Sequence, residues 1–209
     1  MIHYLIGTIL ADQAHIRDRA RFLLGSVLPD AFRDVRERDV THFVNHDDLA
    51  VRFYDFEAFR QEYSEKMQDS LYLGYYMHLV EDNFYRRLIR VDHEWKVYED
   101  PKGVEKLHRD YEILNSYIVG KWQLQNEPFA VPEVLQESLL RITDFDIPGI
   151  ISELEHDFTD DIHGTTVFLT EEILEEFLDR YLSDIKKEFR AVLLGERYLS
   201  AKSFAWRRG

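Results

Sequence analysis

The sequence predicts an all-α fold, a multi-helix bundle in a single domain, on three observations. Apolar residues recur at three-to-four spacing, no segment alternates convincingly as a strand or flanks a hairpin turn, and 209 residues suffice for one sizeable core. Gly and Pro are few and aromatics make up 14% of the chain, as in a globular rather than a disordered or fibrous sequence.

The elements follow in order. An opening helix is expected over about 2–21, ending near Gly25, and the segment Gly25-Ser26-Val27-Leu28-Pro29-Asp30 reads as a loop punctuated by Pro29. A charged connection through Asp39 leads to Thr41-His42-Phe43. Helices are then expected over about 53–68, 71–90 and 104–121. Pro128, Pro132 and the turn Asp146-Ile147-Pro148-Gly149 divide the remainder into shorter helices, Pro132 suiting the first position of one. The last long helix opens at Thr170, carries Glu171 and Glu172 in its first turn, and stops at Gly195. Residues 1–125 hold the best candidate ligands, and 126–209 supply packing helices.

Charge and composition narrow the function. Forty acidic residues against 26 basic ones give a formal charge of -14, which opposes stable binding to nucleic acid or to anionic lipid surfaces. A small phosphoester substrate stays compatible, because a bound cation inverts the local field. Cys is absent, so disulfides, thiolate catalysis and cysteine-ligated zinc are excluded. The apolar start reaches Asp12 too soon for a signal peptide, and no apolar run is long enough for membrane insertion, so a cytoplasmic protein is expected.

The run Leu71-Tyr72-Leu73-Gly74-Tyr75-Tyr76-Met77-His78-Leu79-Val80-Glu81-Asp82 carries the chemistry. His78 and Asp82 lie four apart, one above the other on a helix, so imidazole and carboxylate can converge on one ion. They share a stripe with Leu71, Tyr75, Tyr85 and Ile89, which aims Asp82 into protein, where a lone carboxylate must be paired, neutralised or metal-bound. His108 and Glu112 repeat the spacing on a second helix; the plainer reading is a surface pair. Asp30 could be a turn acceptor, His42 could pack beside Phe43, and His3 could edge the core. Tyr75, Tyr76 and Tyr85 are available to hydrogen-bond around the site or stack a substrate ring, though core packing is their ordinary role.

Taken in order, Gly25 to Asp30, Thr41-His42-Phe43, Gly74 to Asp82 and His108 to Glu112 resemble the zinc-dependent phospholipase C family, whose fold single-strand nucleases share. The resemblance spans about residues 1–125. It implies an all-helical bundle with a metal site between core helices, holding two or three zinc ions that activate water to hydrolyse phosphodiester or phosphomonoester bonds. His3, Asp30, His42, His78, Asp82, His93, His108 and Glu112 would be the metal ligands, with Asp82 bridging two ions. Asp30 would also be the catalytic carboxylate that orients or deprotonates the water. The secreted members use a processed N-terminal tryptophan as a ligand, where this chain has Met1, and the toxins' lipid-binding domain has no counterpart here. Membrane phospholipid is therefore not the expected substrate.

Two alternatives stand beside this reading. His46-Asp47 resembles the doublet of the HD phosphohydrolases, with His15 and Asp82 as conceivable partners; a solvated helix start explains it equally. The other is a non-catalytic helical protein with a structural metal or a partner-binding role. His and carboxylate ligands also suit manganese, iron or nickel. His156, Asp160 and His163 fall in an acidic, loop-like stretch and are expected to be exposed.

Overall fold

The computed structural model describes residues 1–46, 50–129 and 137–207, so Asp47 and Pro132 lie outside the described residues. Among the described residues the α-helices are α1 (Ile2–Gln13), α2 (Arg19–Val27), α3 (Arg38–Thr41), α4 (Phe56–Glu62), α5 (Ser70–Arg87), α6 (Gly103–Trp122), α7 (Ile147–Thr159) and α8 (Glu171–Leu193). A two-residue strand pair, β1 (Val51–Arg52) with β2 (Trp206–Arg207), ties the end of the described chain to its first third. The all-α expectation holds, and one contiguous core runs from Tyr4 to Phe204. No helix of the described residues is long and apolar enough to cross a membrane.

The opening segment is two helices, not one. Asp18 caps α2 by accepting the Arg21 N–H at 3.0 Å, and Ala14 is extended, so the chain turns between Gln13 and Arg19. Gly25 does not end a helix. It lies inside α2 where α2 crosses α5: a Cβ there would meet the Leu71 carbonyl oxygen at 2.1 Å, and one on Gly74 would meet that of Phe22 at 2.1 Å. Each glycine thus lets the opposite backbone approach, and the expected loop shrinks to the 3₁₀ turn Leu28–Asp30.

Helix α5 is the axis of the molecule. Asp69 caps it by accepting from the Leu71 N–H at 2.9 Å, and Ser70 to Phe84 are buried on every side, beyond the single stripe expected. It ends in a π-helical turn, Leu88–Asp92. The segment expected as a helix over 53–68 is shorter, α4 followed by a 3₁₀ turn at Ser64–Lys66. Helix α8 matches expectation: Thr170 caps it, and Gly195 takes up φ +77 beyond its end. Asp146 caps α7 with Pro148 in the first turn; His156 is exposed, but on this helix rather than in a loop.

Candidate metal centre

The α2–α5 crossing sets the first candidate ligand. Because the backbones nearly touch at Gly25 and Gly74, the Ser26 carbonyl oxygen reaches into α5 and accepts a hydrogen bond from His78 Nδ1 at 2.9 Å. A carbonyl has no proton to give, so Nδ1 carries one and His78 Nε2 presents a lone pair. His42, at the end of α3, is fixed in the same way. Its Nδ1 donates to the Arg38 carbonyl at 3.0 Å, which turns Nε2 toward His78.

Those two Nε2 atoms face each other 3.3 Å apart, both fully buried. Around them lie carboxylates: Asp30 Oδ1 is 3.2 Å and Asp82 Oδ2 3.5 Å from His42 Nε2, and Asp30 Oδ2 is 3.9 Å from His78 Nε2. His3, from α1, stacks on His78 at 3.8 Å between ring centroids and places Nε2 3.4 Å from Asp82 Oδ1. Two overlapping sets, His3 with Asp30 and His78, and His42 with His78 and Asp82, have ligand atoms within 4.8 Å of one another. His78 has one uncommitted nitrogen, so only one set can use it at a time.

The electrostatics favour a cation. Burial, aided by the neighbouring His3, drives the His78 imidazole down to about 3, so this ring is neutral and an acceptor. Burial opposes ionisation of Asp82 and Asp30, yet the surrounding imidazoles hold both carboxylates well below their ordinary range. Burial would likewise lower His3, but hydrogen bonds with Asp82 and Glu81 prevail and raise it to about 10. The centre without metal therefore keeps a proton on His3 as its counter-charge. Aligned lone pairs and carboxylates fit a divalent ion of the zinc, manganese, iron or nickel type.

The local backbone explains why these side chains hold still. Tyr75, from α5, donates its hydroxyl to the Thr41 carbonyl, fixing the residue before His42. Phe43, just after it, takes up a left-handed φ of 50, a strained conformation for a phenylalanine, held by its ring against Phe59 and Tyr63. Asn83 brackets Tyr54: its Oδ1 accepts the Tyr54 N–H at 3.1 Å and its Nδ2 donates to the Tyr54 carbonyl at 2.8 Å. Tyr54 is thereby pinned beside His42, ring centroids 5.5 Å apart.

Five of the eight expected ligands meet here: His3, Asp30, His42, His78 and Asp82. Three do not. His93 bonds Glu176 of α8 at 3.1 Å, drawn away by the π-turn, which swings it off the α5 face. His108 and Glu112 are exposed on α6, where Leu107, Asp110, Leu114 and Ile118 point inward and Glu112 pairs with Arg109 at 2.7 Å. The buried acid of that helix is Asp110, which accepts the backbone N–H groups of Val167, Phe168 and Leu169 and is structural. His46 and His15 are exposed, and Asp47 lies outside the described residues. Tyr76 donates to Glu188 and Tyr85 accepts from the Tyr111 hydroxyl, so neither hydrogen-bonds a candidate ligand.

Two residues not anticipated belong to the centre. Glu81 is buried and accepts from His3 Nδ1 at 2.8 Å; burial pushes its carboxyl up to about 7 against the pull of His3. Arg38 comes within 3.4 Å of Asp82 Oδ2. No known family, curated protein or solved structure matches the chain.

Proposed function

We propose that the protein is a metal-dependent hydrolase acting on a phosphoester, with zinc as the preferred ion. The observation that carries this reading is the pair of Nε2 atoms, 3.3 Å apart, whose Nδ1 partners are both committed to carbonyls. Two imidazole lone pairs flanked by two carboxylates repel one another unless positive charge lies among them. His42, His78 and Asp82 would hold the ion, with His3 and Asp30 completing one or two sites. A divalent ion there supplies Lewis acidity toward phosphoryl oxygens and makes water a stronger acid near neutral pH.

The chain's own groups divide the remaining work. Asp30 is the ligand candidate nearest solvent, its side chain 40% exposed, which suits it to orient an attacking water. That opening favours catalysis over a purely structural ion, which would be enclosed by protein ligands. Glu81 orients His3, and Arg38 is placed to meet negative charge building on phosphoryl oxygens.

The test is metal content of protein purified without chelators, with His78→Ala and Asp82→Asn beside it, followed by a panel of phosphomonoesters and phosphodiesters. Bound zinc lost in both variants, together with metal-dependent turnover, is the expected result. Unchanged stoichiometry in both variants refutes the centre, and tight metal without turnover on any ester converts it to a structural site.

A further inference from the structure

Beyond Asp82 the chain changes character. His78, Asp82 and Arg86 follow one another at intervals of four residues on α5, and Arg90 comes next in the π-helical turn, so two ligand candidates give way to two arginines that meet at Tyr98. Arg86 Nε donates to the Tyr54 hydroxyl at 2.8 Å, and another of its nitrogens donates to that of Tyr98. Arg90 lies over the Tyr98 ring at 5.3 Å and the Trp206 ring at 5.8 Å, and its Nε is buried with no hydrogen-bond partner. Arg38 reaches the same place from α3, 6.0 Å from the Tyr54 ring.

Neither Arg86 nor Arg90 has a carboxylate within ion-pair distance among the described residues, in a chain where acids outnumber bases 40 to 26. Their partners are phenol oxygens and ring faces, which position a guanidinium without neutralising it. The patch opens outward at Tyr98, which is 59% exposed.

We infer that Arg86 and Arg90 hold a second phosphate group of the substrate, apart from the one attacked at the metal centre. This inference rests on the hydrolase reading given above. Guanidinium groups present paired N–H donors that match phosphate oxygens, and aromatic walls keep those donors aimed. Four residues of α-helix advance about 6 Å, so Arg86 lies one such step from Asp82 along α5, and Arg90 lies farther on in the π-helical turn. That spacing suits a small molecule whose second phosphate is a few bonds from the scissile one. Arg38, between the two regions, touches Asp82 and the Tyr54 face at once.

The experiment titrates inorganic phosphate into chelator-treated and zinc-loaded protein by calorimetry, for wild type, Arg86→Gln and Arg90→Gln, with zinc stoichiometry measured on each. Phosphate is expected to bind the metal-free wild type, each substitution to weaken it by about tenfold, and added salt to weaken it further, with zinc content unchanged. Equal phosphate affinity in wild type and both variants, zinc intact, overturns the subsite and leaves the metal reading standing. Failure of wild type to take up zinc, with phosphate affinity still dependent on both arginines, overturns the hydrolase reading and upholds the anion grip. Kinetics then separate substrate from free phosphate. Arg90→Gln should raise KM for glycerol bisphosphate and spare glycerol monophosphate, whereas equal effects on both overturn the assignment to substrate.

Discussion

Zinc binding should release one proton near neutral pH, and that proton should come from His3. The sign follows from the environment of each imidazole. Burial already holds His78 neutral at about 3, so it has no proton to lose, whereas His3 is raised to about 10 by Asp82 and Glu81 despite burial. Stripping His3 at pH 7.5 costs about 3 kcal/mol, at about 1.4 kcal/mol per pKa unit, and metal affinity should climb about tenfold per pH unit toward pH 10. Glu81→Gln removes one of the two acids that raise His3, so the variant should bind zinc with a shallower pH dependence around pH 7.5. Calorimetry in buffers of different ionisation enthalpy counts the protons directly. Release of no proton by the wild type, or an unaltered pH slope in Glu81→Gln, would refute the charge balance drawn for this centre.

Other expectations follow from the same contacts. Metal-free protein should lose stability as pH rises from about 6.5 toward 10, because the folded pKa of His3 exceeds its unfolded value, and should lose it again on acidification below the ordinary carboxylate range as Asp82 is protonated; urea midpoints across pH check both limbs. Asp110→Ala strands three backbone N–H groups and should cost about 3 kcal/mol or more in urea denaturation, with zinc stoichiometry of the folded fraction unchanged. Gly74→Ala drives a methyl group into the Phe22 carbonyl and should cost about 2 kcal/mol or more, and because Ser26 then shifts against His78, zinc affinity should fall with it. His93→Ala and the pair His108→Ala with Glu112→Gln should leave metal content untouched, as their side chains face Glu176 and solvent; loss of zinc in either would contradict this placement.

The helices were legible where local signals and packing agree. Thr170 and Gly195 bracket α8 as caps, and the apolar run around Gly74 forms the buried α5. Gly25 reads as a loop signal because a sequence cannot tell a glycine that ends a helix from one that admits a neighbouring backbone. That distinction depends on Leu71, some 46 residues on. The break at 14–18 was written in Asp18, an N-cap residue, but the apolar periodicity on either side continues in phase and masks it.

The centre itself divides along the same line. His78 and Asp82 were recoverable from one helix, since spacing alone puts them on one face, and Glu81 was recoverable too: two adjacent acids in a buried run both need a partner, and Glu81 is one helical turn from His78. His108 and Glu112 had the same spacing and failed on phase, because Leu107, Leu114 and Ile118 already define the inward face of α6 and His108 is turned about 100° from Leu107. A pair at i and i+4 fixes that two side chains can meet each other; which way both of them point is decided by the apolar residues around them. The arginines past Asp82 follow the same rule: Arg86 is still on α5, but Arg90 comes after it in the π-helical turn, and it is their common neighbour Tyr98, not their spacing, that brings the two guanidinium groups together.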